Sequence, residues 1–84
     1  MHYVYTLRSS VDNNLYIGST TDLRRRIKEH NLKKSFSTSW RGPFELVYYE
    51  AYKDLRDARE REYALKMRGN SRQHLKSRIK HSLK

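Results

Sequence analysis

Six stretches of the chain carry a periodic pattern of apolar positions, and polar or glycine-bearing segments separate them. His2 to Leu7 alternates weakly and is rich in Tyr, Val and Thr, which suit a pleated, half-buried surface. A strand there puts Tyr3, Tyr5 and Leu7 on one side and Val4 and Thr6 on the other. Asp12-Asn13-Asn14 is a turn signal. Leu15-Tyr16-Ile17 is the next apolar run and ends at Gly18, so the first two strands form a hairpin. Ser19, Thr20, Thr21 and Asp22 follow. Such side chains start helices because they accept hydrogen bonds from free backbone N–H groups. Leu23 and Ile27, four apart, then predict a helix over Asp22 to Leu32. At about 100° per residue its inner face holds Leu23, Arg26, Ile27 and His30. Arg24, Arg25, Lys28 and Glu29 point elsewhere.

The segment KKSFSTSWRGP, Lys33 to Pro43, reads as a loop, whose Phe36 and Trp40 either cover the core edge or stack on a base. FELVYYEAY, Phe44 to Tyr52, is a third strand, inside or beside the hairpin. Asp54 to Met67 is a helix on which Leu55, Ala58, Glu62 and Leu65 share a face. A carboxylate in an apolar stripe is costly unless it is paired, hydrogen-bonded or bound to a metal. The plain alternative for Glu62 is an ion pair with Arg26 or Arg59. Gly69-Asn70 signals a helix end and Ser71 a new cap. Leu75, Ile79 and Leu83 then predict a packing helix over Ser71 to Leu83 with a cationic outer face. The element order is β-β-α-β-α-α, an α+β arrangement in one domain over residues 1–84.

Composition narrows the function. The chain has 84 residues and no cysteine, which excludes disulfides and Cys-based zinc sites and fits a reducing cytoplasm. No run approaches the roughly 20 apolar residues of a membrane helix. Nineteen Lys and Arg against nine Asp and Glu give a formal charge of +10. That excess on a small domain is the footprint of a polyanion binder, nucleic acid above all.

An ordered set of residues then stands out. Tyr3-Val4-Tyr5 lies on the first strand and Tyr16-Ile17-Gly18 on the second. Arg26 follows Tyr16 by ten residues and His30 by fourteen, and Glu62 lies on a later helix. In this order and spacing the set resembles the GIY-YIG nuclease superfamily. The segments LYIGSTTDLRRRIKEHN, LVYYEAY and AREREYALK look like its small stand-alone branch, related to the nuclease domain of the excision-repair incision subunit. The first motif reads YVY rather than GIY. Ser19 stands where the repair-incision relatives carry a lysine. A late asparagine of some relatives has no match, and Asn70 is better read as a helix cap.

The resemblance implies a three-stranded, mostly antiparallel sheet with helices packed around it. It also implies hydrolysis of phosphodiester bonds with one divalent ion, Mg²⁺ or alternatively Mn²⁺. Glu62 is then the metal ligand, since a carboxylate suits a hard cation that keeps most of its waters. Arg26 offers a permanently charged fork to the phosphate. Tyr5 is the family-matched residue for orienting or deprotonating water, while His30 has the better intrinsic pKa for base work. The base role falls to the Tyr5/His30 pair, and Tyr16 positions phosphate or water. Arg24, Arg25, Lys33 and Lys34 are expected to contact DNA outside this set. With phosphate contacts that carry no base information, the expected activity is a structure- rather than sequence-specific DNA endonuclease, in repair or recombination. The competing reading is a non-catalytic nucleic-acid-binding module that keeps the fold. In it the tyrosines are ordinary sheet aromatics and His30 a satisfied helix-end histidine.

Overall fold

The structure is a computed structural model that describes residues 1–32 and 42–84. The expectations for Lys33, Lys34, Phe36 and Trp40 lie outside the described residues. Strands β1 (His2–Ser9), β2 (Leu15–Thr20) and β3 (Phe44–Tyr52) and helices α1 (Leu23–Asn31), α2 (Leu55–Met67) and α3 (Gly69–Arg78) follow the expected order. Among the described residues, no helix is long and apolar enough to cross a membrane.

The hairpin turn is local chemistry. Asp12 Oδ1 accepts from the Asn14 N–H at 3.0 Å, and Asn13 takes φ 60°, a left-handed conformation that Asn tolerates. The sheet runs β2-β1-β3 with both pairings antiparallel. β3 therefore lies beside the hairpin, and among the described residues β2 keeps a free edge. The register sets Tyr5 opposite Gly18 on one side and Tyr49 on the other.

β1 alternates weakly because both of its faces are covered. Val4, Tyr5, Thr6 and Leu7 are each no more than 3% exposed. On one face Tyr5, Leu7 and Phe44 pack with Tyr16 and with Leu23 and Ile27 of α1. On the other, Val4 packs with Ala58 and Leu65 of α2, Leu75 of α3 and Ile79. Each fully buried leucine contributes about 1.5–3 kcal/mol by leaving water. The result is three layers: α1, the sheet, then α2 with α3.

The helix starts follow the caps. Asp22 Oδ1 accepts from Arg25 N at 3.1 Å, and Asp54 Oδ1 from Arg56 N at 2.8 Å. The junction of α2 and α3 departs from the expectation. Gly69 and Asn70 do not end α2, and Ser71 does not cap α3. One extended residue, Arg68 (φ −111°, ψ 111°), closes α2 and opens α3, and Gly69 is already helical. Arg72 does what a terminal glycine would have allowed, since its guanidinium donates to the carbonyls of Leu65 (3.2 Å) and Lys66 (2.8 Å). At the far end α3 stops at Arg78 rather than Leu83. The chain continues in a further turn, Leu83 N to Ile79 O at 3.1 Å, which still brings Leu83 onto the core.

Candidate active site

The site forms where β2 turns into α1, around the free edge of β2. Tyr5 faces α1, and its side chain lies across Gly18 on the neighbouring strand. A Cβ at Gly18 would stand 2.3 Å from Tyr5 Oη and 2.5 Å from Cζ. Gly18 is needed for this close approach, not for its backbone angles, since its own φ is not positive. Passing over it, Tyr5 Oη comes within 2.9 Å of His30 Nε2. His30 is on the inner face of α1, 5% exposed. Edge-to-face contacts fix the rings: Tyr5 with His30 (5.8 Å), His30 with Phe44 (5.9 Å) and Tyr16 with Phe44 (5.4 Å).

Arg26 sits one turn before His30, half-buried. Its Nη1 donates to Glu29 Oε1 at 3.3 Å, and its charge also acts on Tyr5. Burial pushes the Tyr5 phenol above its ordinary value, and the Arg26 guanidinium opposes this without cancelling it. Burial, and then the same guanidinium, hold His30 below its ordinary value near 6.5. At neutral pH Tyr5 thus keeps its proton and His30 is neutral.

Glu62 approaches from the other face of the sheet. Ser19, which points toward α2 because Gly18 points toward α1, donates from Oγ to Glu62 Oε1 at 2.7 Å. Lys66 Nζ donates to Oε2 at 2.8 Å. Burial would raise the Glu62 carboxyl. Lys66 and Ser19 together outweigh it and hold the group below its ordinary value, so it is ionised at neutral pH.

Tyr5, Tyr16, Arg26, His30 and Glu62 line one cavity of about 190 Å³, with Gly18, Ser19 and Lys66. The sequence pattern thus picks out five residues from four elements that meet in space. The plain alternative for Glu62 needs correction: its ion-pair partner is Lys66, Arg26 pairs with Glu29, and Arg59 acts on Glu62 through its charge alone. The spacing of Glu62 and Lys66, four apart on a helix, is a readable signal of that pair. The part played by Ser19 depends on sheet register and has no such local signal. Arg24 and Arg25 are exposed on α1 and do not line the cavity.

Known proteins resemble this chain over most of its length. The family described as the GIY-YIG catalytic domain matches residues 1–80. A UPF0213 protein of Clostridium perfringens is 45% identical over 67 residues, covering 79% of this chain and 71% of that one. The UPF0213 protein YazA of Bacillus subtilis is 38% identical over 66 residues, 77% of this chain and 66% of the relative. The solution NMR structure of a UPF0213 protein from Bacillus halodurans has a TM-score of 0.58 and 40% identity, covering 90% of this chain and 82% of the other.

Proposed function

The chain belongs to the GIY-YIG catalytic-domain family, and from that premise we propose that it is a metal-dependent endonuclease that hydrolyses phosphodiester bonds in DNA. Its selectivity is for structure rather than sequence, and a role in repair or recombination fits that selectivity. The observation that carries the reading is the Tyr5–His30 hydrogen bond in the same cavity as a guanidinium and an ionised carboxylate. A sheet aromatic or a satisfied helix-end histidine needs neither neighbour.

The residues suggest a division of labour. His30, neutral and hydrogen-bonded to Tyr5, is the proton acceptor. Tyr5, whose burial keeps it protonated, is the relay. An attacking water passes its proton to Tyr5 Oη as Tyr5 passes its own to His30 Nε2. The water oxygen bonds to phosphorus, the bond from phosphorus to the leaving oxygen breaks, and that oxygen takes a proton from solvent. Arg26 offsets the charge that builds on the phosphoryl oxygens. Tyr16, braced by Phe44, holds the phosphate or the water.

Glu62 fits a hydrated Mg²⁺ or Mn²⁺. The Lys66 ammonium 2.8 Å from its Oε2 marks a position that favours positive charge. Among the described residues no three His, Cys, Asp or Glu side chains cluster, so the donor set suits a cation that keeps most of its own waters. When bound, such an ion supplies Lewis-acid stabilisation and lowers the pKa of water. The test is cleavage of a labelled panel of duplex, single strand, flap, junction and RNA in Mg²⁺ and in Mn²⁺. Cutting of branched DNA across unrelated sequences is expected; no cutting of any DNA in either metal would refute the reading.

A further inference from the structure

Two further clefts run on from the site, along β2 to the hairpin turn. One, of about 320 Å³, shares Tyr16 with the site cavity and is bounded by Asn14, Leu15, Arg72 and Lys76. The next, of about 450 Å³, takes over Asn14, Leu15 and Lys76 and reaches Arg8 and Lys84. Four cationic side chains line this lane and no side-chain carboxylate does. The cavity it leads to holds Arg26 and Lys66 beside the Glu62 carboxylate, whereas the lane has no side-chain carboxylate to offset its cations.

Two of the cations have structural duties. Arg8 pairs with Glu45 and bonds the Leu83 carbonyl, and Arg72 closes the end of α2. Lys76 and Lys84 are exposed and make no ion pair with the described residues. Like charges along one lane repel each other, so placing Lys76 and Lys84 beside the two arginines gains from a polyanion rather than from folding. Charges that only guarded an edge strand against pairing would do so without clefts that lead to the site.

We propose that this lane seats the phosphate backbone of one substrate strand, on one side of the scissile bond only. Tyr16 is the junction between reacting phosphate and lane. The phosphates beyond it pass Arg72 and Lys76 and end at Lys84 and Arg8. Contacts of this kind read no bases, so the seat is indifferent to sequence. That the lane leads to a scissile bond rests on the nuclease reading above; the phosphate seat does not.

The test measures binding in EDTA, where cleavage is off. Affinity for a labelled DNA duplex is followed across a salt series for the wild type, for Lys76→Ala/Lys84→Ala, and for Arg24→Ala/Arg25→Ala. All four positions are exposed, so the fold is not threatened. The magnitude of the negative slope of log K against log salt falls by about 0.9 for each phosphate that the protein no longer neutralises. The lysine pair should lower it by about 1.8, close to two phosphates, and the arginine pair by less. An unchanged slope for the lysine pair, or equal decreases for both pairs, would overturn the lane. Plasmid nicking in Mg²⁺ is run beside it. Absent nicking with the lysine-specific drop in slope would remove the nuclease reading and keep the seat; nicking with no such drop would do the reverse.

Discussion

The Tyr5 hydroxyl occupies the space where a side chain on Gly18 would begin, 2.3 Å from the position of a Cβ. This one contact links a glycine on β2 to the Tyr5–His30 hydrogen bond. Gly18→Ala must push the Tyr5 ring away, because Cζ is also only 2.5 Å from that Cβ. Overpacking of this kind costs about 1–3 kcal/mol. A displacement near 1 Å at a reacting group costs about 100-fold in rate. Melting temperature should fall and nicking should drop far more steeply than stability explains. Wild-type nicking by Gly18→Ala would show that the Tyr5 placement is not used.

Arg26 faces the cavity, and Arg25 faces solvent. Arg26→Lys keeps the charge but loses the planar fork, so it should reduce nicking by at least about 10-fold, whereas Arg25→Lys should leave it nearly unchanged. Single-turnover rates on one plasmid substrate compare the two. Equal effects would mean that the phosphate is held elsewhere.

Glu62 and Lys66 form a half-exposed i,i+4 pair, which typically contributes about 0.3–0.5 kcal/mol. Glu62→Gln should therefore barely shift thermal unfolding while abolishing metal-dependent cleavage. Lys66→Met removes the ammonium from Oε2 and should tighten Mn²⁺ binding, read by electron paramagnetic resonance without DNA. Weaker Mn²⁺ binding in Lys66→Met would argue against Glu62 as the ligand.

Stability should fall with acid in two steps. His30 is held below its ordinary value near 6.5 in the folded protein. Between the folded value and 6.5 the unfolded chain binds more protons, so stability rises with pH there. The contribution is fully present above about 6.5 and is lost as pH falls through the folded value. Glu50 follows at lower pH. Burial raises its carboxyl, but hydrogen bonds from Tyr52 and Tyr48 and the Arg61 charge outweigh it and hold it below its ordinary 4.5. Burial, and then the hydrogen bond to the Glu50 carboxylate and its charge, push the Tyr52 phenol up to about 12. Melting temperature against pH should show both limbs in the wild type and only the lower one in His30→Gln. A persistent upper limb would assign it to another group.

The element order and the set of residues that meet in the candidate site were legible because each rests on local signals. These are the apolar period of α1, which aligns Arg26 with His30, and the glycine that ends the Leu15–Ile17 run. What was not legible depends on tertiary contacts. The α2–α3 junction went astray because Arg72, four residues past the break, reaches back to the carbonyls that Gly69 was expected to serve. The Ser19–Glu62 contact needs Gly18 opposite Tyr5, which only the register supplies. Burial of both faces of β1 blurred its alternation for the same reason.

Nicking of supercoiled plasmid reports on the assembled site. The wild type should nick in Mg²⁺ and stop on addition of EDTA, and Glu62→Gln and Arg26→Lys should be deficient while still binding DNA. Nicking that survives EDTA, or Glu62→Gln that nicks like the wild type, would contradict a metal-dependent site built on Tyr5, His30, Arg26 and Glu62.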